Sequence, residues 1–163
     1  MANTFGKIYS IPVDGQVYAQ PLVVSNVVIS TGPNAGTREV VYVATQGNGV
    51  YAFDAGTGAI LWSRSFVDQA NGITTVPQSD LVSEDLTPQA GITSTGVIDK
   101  TSNTLYVVTR TKEVRSGVPH FVQKLQALDL ATGTNKFGGP ATIADTIFQN
   151  DVYTYVSGPT ING

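Results

Sequence analysis

Apolar residues along this chain fall in short alternating runs, and no 3.6-residue stripe exceeds two turns. "KIYSIPV" (7–13) alternates and reads as a strand. "QVYAQPLVVSNVVIS" (16–30) is long and valine-rich, with Pro21 and Asn26 as breaks. "REVVYVATQ", "VYAFDA" and "AILWSRSF" predict three more strands. Between them lie "GPNAGT", "GNG" at Gly47–Gly49 and "GTG", where Gly and Asn accept a positive φ cheaply. From about Val67 to Gln89 the chain turns polar, with two prolines, and predicts a long surface loop. The pattern then restarts: "GITSTGVID" as strand, "KTSN" as turn, "TLYVVTRTKE" as strand and "VRSGVP" as loop. "HFVQKLQALDL" as strand, "ATG" as turn and "NKFGGPATI" complete the set.

Two stretches align without gaps. "AFDAGTGAILW" (52–62) and "ALDLATGTNKF" (127–137) both read Ala-x-Asp-x-x-Thr-Gly-x-x-x-aromatic. The preceding strands match too, "VVYVAT" beside "TLYVVT". The chain therefore holds two copies of a strand–strand–strand–turn–strand unit, and such repeats mark stacked sheets. Asp54 and Asp129 are expected to accept N–H bonds within their own turns, and Gly58 and Gly133 to complete the reversal. An Asp recurring once per unit is explained by a turn better than by two active sites. Trp62, and Phe137 in the second copy, are expected on outer strands, packing across to the next unit; the indole N–H would find a carbonyl there.

These residues resemble the repeat of pyrroloquinoline-quinone (PQQ) type β-propellers, the quinoprotein alcohol dehydrogenase-like superfamily. Ala52, Asp54, Thr57, Gly58 and Trp62 match that repeat fully; Ala127, Asp129, Thr132 and Gly133 match it with Phe137 in place of Trp. "DGQVYAQPL" and "LQALDLATGTNKFGGP" are also similar to bacterial exported propeller proteins, and the likeness spans about residues 7–143. It implies an all-β fold of about two four-stranded antiparallel propeller-type blades, a partial β-propeller. The first blade, with a preceding outer strand, covers 7–67 and the long loop 68–89. The second blade covers 90–143, and 144–163 forms a tail or begins a third blade. A small two-sheet sandwich is the competing architecture. The family's enzymes use an Asp base, a Ca²⁺ held by Glu and Asn, a stacked Trp and often a vicinal disulfide. None of these positions carries over: the chain lacks cysteine, and its one Trp sits in the repeat motif.

Composition narrows the function classes. Nine Lys and Arg are scattered singly in a chain of net charge −3, so no basic stripe tracks a nucleic acid. No run is long enough for a membrane-spanning helix. His120 is the one histidine, which excludes a multi-histidine metal site within one chain. It has no Ser or Asp at a diagnostic spacing, and reads as a surface or strand-edge residue. In the resembled family, ligands bind at the face carrying the loop into the first strand and the loop between strands two and three. Both are expected to be long in the second unit. They carry Asp80, Glu84 and Asp85, and Lys112, Glu113 and Arg115. Asp80, Glu84 and Asp85 are the weak candidates for calcium, but fit no known loop pattern; a solvated acidic loop is the simpler reading.

Closed propellers have about four to eight blades, and two cannot close a ring. The chain is expected to be part of a longer propeller or to assemble from several copies. "MANTFGK" is neither basic nor followed by an apolar run and does not read as a signal peptide. The expectation is a non-catalytic scaffold or interaction module without cofactor, extracellular or periplasmic, partnered by its own copies or by further blades. The alternative is a fragment of a PQQ-dependent dehydrogenase, which would need PQQ and Ca²⁺.

Overall fold

The computed structural model describes residues 6–7, 9–81, 84–149 and 152–157. The chain is all-β and its sheets are antiparallel. The first sheet is a four-stranded meander of β1 (Leu22–Ile29), β2 (Gly36–Ala44), β3 (Gly49–Asp54) and β4 (Ile60–Ser65), in that order. Alternation decides its faces. Val40, Tyr42 and Ala44 of β2, and Val50 and Ala52 of β3, point into the core. Asn26 bends β1 rather than ending it. It sits at φ 64° in a bulge between Val24 and Val27, and the one extra residue lets both valines be buried.

The segment expected as a long surface loop with room for a short turn of helix has more structure than that. It holds two 3₁₀ turns, β5 (Ile73–Thr74), β6 (Val76–Pro77) and β7 (Gln89–Ala90). β6 and β7 pair with each other, and β5 joins the second sheet. Val82 and Ser83 lie outside the described residues.

β8 (Val97–Asp99), β9 (Thr104–Arg115), β10 (Val118–Asp129), β11 (Ala141–Gln149) and β12 (Val152–Ser157) build the second sheet. Its order is β12-β11-β10-β9-β5, with β8 also on β9. It has six strands where four were expected, because β5 and β12 join it, and its long strands also run differently from the expectation. "VRSGVP" is not a loop: β9 and β10 run through it and reverse at Ser116–Gly117, whose φ of 51° and 81° suit a two-residue hairpin. "NKFGGPATI" does not supply a full fourth strand, because Asn135 makes only a single bridge to Leu128. Instead β11 pairs with the distal half of β10, and "DVYTYVSGPTING" adds β12 to the same sheet, its last six residues lying outside the described ones.

Two further expectations are corrected. The described part of "KIYSIPV" forms no strand; Pro12 lacks an N–H, and residues 9–13 run as an irregular arm along the first sheet. "GITSTGVID" is strand only over Val97–Asp99.

The core lies between the two sheets. Val40, Tyr42, Val50 and Ala52 of the first meet Leu105, Val107 and Leu128 of the second and Leu130 in the turn that follows it, with Trp62 and Leu61 packed against them. Among the described residues no sheet closes on itself.

Candidate functional site

The two Asp-x-x-Thr-Gly turns are built alike. The Asp54 carboxylate accepts the N–H of Gly56 at 3.0 Å, the N–H of Thr57 at 2.8 Å and the Thr57 hydroxyl at 2.9 Å. Asp129 accepts the N–H groups of Ala131 and Thr132 at 3.0 and 3.1 Å, and the Thr132 hydroxyl at 3.1 Å. The N–H and hydroxyl of Thr57 hold the Asp54 carboxyl below its usual range. Gly58 and Gly133 sit at φ 73° and 68°, where a Cβ is disfavoured.

Each turn is capped by an aromatic side chain from earlier in the chain. On the second turn, Trp62 Nε1 donates to the Leu130 carbonyl at 2.9 Å, and the indole lies against Gly133; a Cβ there would approach the ring to 2.5 Å. Tyr42 Oη donates to the same carbonyl at 2.9 Å, and Arg64 Nη1 to that of Gly133 at 2.9 Å. Burial, then the Asp129 charge, push the Tyr42 hydroxyl pKa up. On the first turn, Tyr9 Oη donates to the Ala55 carbonyl at 3.0 Å, and Ile11 and Tyr9 press on Gly58. Ala55 and Gly58 are the counterparts of Leu130 and Gly133. So Tyr9 does for the first turn what Trp62 does for the second. Phe137, the next aromatic of the series, is 68% exposed; the Lys136 ammonium lies 5.6 Å from its ring centre.

The β2–β3 turn ties the arm and both sheets together. Thr45 donates its hydroxyl to Asp14, and Gln46 N–H donates to the Gln16 carbonyl at 2.9 Å. Gln46 Oε1 accepts the Gly91 N–H at 2.7 Å, and Nε2 donates to Thr93 at 3.0 Å. Asn48 Nδ2 donates to the Arg110 carbonyl at 2.6 Å. Among the described residues no buried side-chain polar atom lacks a partner.

Of the candidate ligand-facing residues, Lys112 pairs with Asp80 at 2.6 Å. Lys112, Glu113 and Arg115 all lie on β9, not on a loop, and the last two enter a network that sequence reasoning missed. Arg115 bridges Glu113 at 2.6 Å and Asp145 at 2.5 Å; Lys124 bonds Glu113 at 2.6 Å; His120 Nδ1 meets Asp145 at 2.8 Å. The Thr111 hydroxyl also donates to Glu113. The carboxylate side chains are each 7% exposed. Burial disfavours the charged form of Glu113, but Lys124, Arg115 and Thr111 outweigh it and hold its pKa below the ordinary range. Asp145 is likewise held low: burial opposes, while His120 and Arg115 prevail. Glu84 and Asp85 are exposed, and among the described residues no three acidic or histidine side chains gather in a metal-holding group. These charges are spent on one another across three strands, which is an arrangement for joining strands.

A pH dependence follows. A carboxylate whose folded pKa is depressed stabilises the fold above its unfolded value, about 4 for Asp and Glu. That contribution disappears as pH falls through the folded values. Glu113→Gln is expected to cost about 1–3 kcal/mol at neutral pH, with the gap to the parent closing below about pH 4. Urea unfolding across pH 3–7 checks this; parallel curves down to the acid limit would contradict the role given to Glu113.

One open apolar trough is present beside the arm. It measures about 300 Å³ and lies between Tyr9, Ile11 and Val13 of the arm and Val41, Val43 and Phe53 of the first sheet. Among the described residues no helix is long and apolar enough to cross a membrane. No family model matches the chain, and no curated protein matches it.

Proposed function

We propose that the chain is a non-catalytic scaffold or interaction module of β-propeller type. It works outside the cell or in the periplasm, joined to copies of itself or to the remaining blades of a larger propeller. The observation that carries this reading is the serial capping of the turns. Tyr9 seats on the first, Trp62 on the second, and Phe137 stands exposed at the end of the series. Such an arrangement passes contacts along a stack of sheets. The turn carboxylates bind their own backbone, and the strand carboxylates bind cations of neighbouring strands, so the acidic groups in both places are committed to structure.

The test is a direct challenge with the chemistry of the alternative reading, a fragment of a PQQ-dependent dehydrogenase. Purified protein incubated with PQQ and Ca²⁺ and then desalted is expected to retain no quinone absorbance and to show no dye-linked alcohol oxidation. Stoichiometric quinone with turnover would overturn the scaffold reading.

A further inference from the structure

The contact between the two sheets has a direction, and that direction leaves one face free at each end. Register defines the faces. In the first sheet Tyr42 pairs with Ala52, and this side meets the second sheet. The second sheet has the same pair, Tyr106 with Ala127, in the same place of the repeat. There it lies opposite the side that carries Leu105 and Leu128 toward the first sheet. The trailing face of the first sheet is thus covered, while on its counterpart on the second, with Val97, Tyr106 and Ala127 in one row, no other described sheet packs; Ala127 is itself buried and Tyr106 half-buried. Val97 is 65% exposed.

The leading faces show the converse. Leu105, Val107 and Leu128 of the second sheet are buried by the first. The leading face of the first sheet carries Val23, Val41, Phe53 and Ile60 in one row across four strands. Among the described residues it is met by the arm, which helps bury Phe53 and leaves the apolar trough open, and Val23 is 63% exposed.

We infer that the trailing face of one copy docks on the leading face of the next, repeating between chains the contact already made within the chain. This inference rests on reading the sheets as serial units. The occupant is a second copy because its two free faces are the repeat counterparts of two faces that already fit each other. Phe137 takes the place on Gly58 that Trp62 takes on Gly133, and Tyr106 stands toward the Ala55 carbonyl as Tyr42 stands toward that of Leu130. That seat is held by Tyr9 and Ile11 in the isolated chain, at 3.1–3.3 Å from a Cβ built on Gly58. Two aromatic rings cannot share it. The arm is therefore an internal competitor, and each docking event displaces it. The contact is head-to-tail, so it propagates until geometry closes it or a fibre grows.

Sedimentation velocity on the full chain, from low to high micromolar concentration, tests this. The mass is expected to rise in whole-chain steps. Phe137→Ser blocks the trailing face and Val23→Lys the leading face; both residues are exposed, and circular dichroism checks that each variant folds. Each alone is expected to weaken association about ten-fold or more. Mixed together they form a heterodimer and stop, because each keeps one intact face. Tyr9→Ala is expected to tighten association, with folding followed by circular dichroism. A constant single-chain mass overturns the inference. So does a Phe137→Ser effect with no Val23→Lys effect, which would mark a two-fold contact between trailing faces. Unchanged association in folded Tyr9→Ala overturns the competition by the arm. Quinone turnover would overturn the scaffold reading whatever the mass, so the two failures are distinct.

Discussion

Trp62→Ala is expected to lower the unfolding free energy by about 3 kcal/mol, the lower end of the range for aromatic truncation in a core. Three losses combine. The indole leaves a void against Gly133 and the Tyr42 ring, whose centre lies 5.9 Å away. Its N–H bond to the Leu130 carbonyl disappears. The joint between the two sheets loses its largest side chain. The effect stays at the lower end because Trp62 is only partly buried and Tyr42 continues to satisfy the Leu130 carbonyl. Trp62→Phe keeps most of the packing and is expected to lose about 1 kcal/mol, the worth of a hydrogen bond. Phe137→Ala, the same motif position in the second copy, is expected to stay within about 0.5 kcal/mol for the single chain, since its ring packs against little. Urea unfolding followed by far-ultraviolet circular dichroism reads all three, because the only Trp is itself replaced. Equal losses for Trp62→Ala and Phe137→Ala would sink the idea of a cap on the second turn.

Gly91→Ala is expected to cost as much, about 3 kcal/mol, through overpacking plus lost buried hydrogen bonds. A Cβ on Gly91 would lie 2.4 Å from the Gln46 carbonyl oxygen and 2.9 Å from the Asn48 nitrogen. Both are backbone atoms, so no side chain can rotate away. Relief requires the Thr45–Gly49 turn to shift. That pulls on the Gly91 N–H bond to Gln46 Oε1 and the Ile92 N–H bond to the Thr45 carbonyl. Thr45, Gln46 and Asn48 are all buried, so groups parted there find no water. The same urea experiment reads it, and a loss below about 1 kcal/mol would show that the turn yields easily.

The first sheet was legible because its strands follow a period of two and its turns carry Gly and Asn where positive φ is needed. Asp54, Thr57 and Gly58 act locally, within one turn, so their spacing was enough. The second sheet was harder because its distal half is not apolar. Glu113, Arg115, Lys124, His120 and Asp145 are polar residues that alternate with Val114 and Val122 and satisfy one another across strands. Local composition cannot tell such a lattice from a solvated loop. The missed signal was Ser116–Gly117, a two-residue turn able to hold positive φ at both positions. "KIYSIPV" misled in the opposite way: it alternates like a strand, yet its contacts come from side chains on the first turn rather than from a backbone ladder. The capping of that turn by Tyr9 was invisible, since nothing in the repeat motif points to a residue that precedes it.

The long β9–β10 hairpin sets an order of events in time. Its twelve residue pairs close around a two-residue turn, so almost no chain entropy is lost before contacts are gained. The bonds joining the sheets span much more chain: 62 residues for Asn48 to Arg110, 68 for Trp62 to Leu130 and 88 for Tyr42 to Leu130. The hairpin therefore forms early, and the seam that Trp62 fastens closes late. Loss of the indole should then appear as faster unfolding with nearly unchanged refolding, the mark of a contact absent from the rate-limiting step.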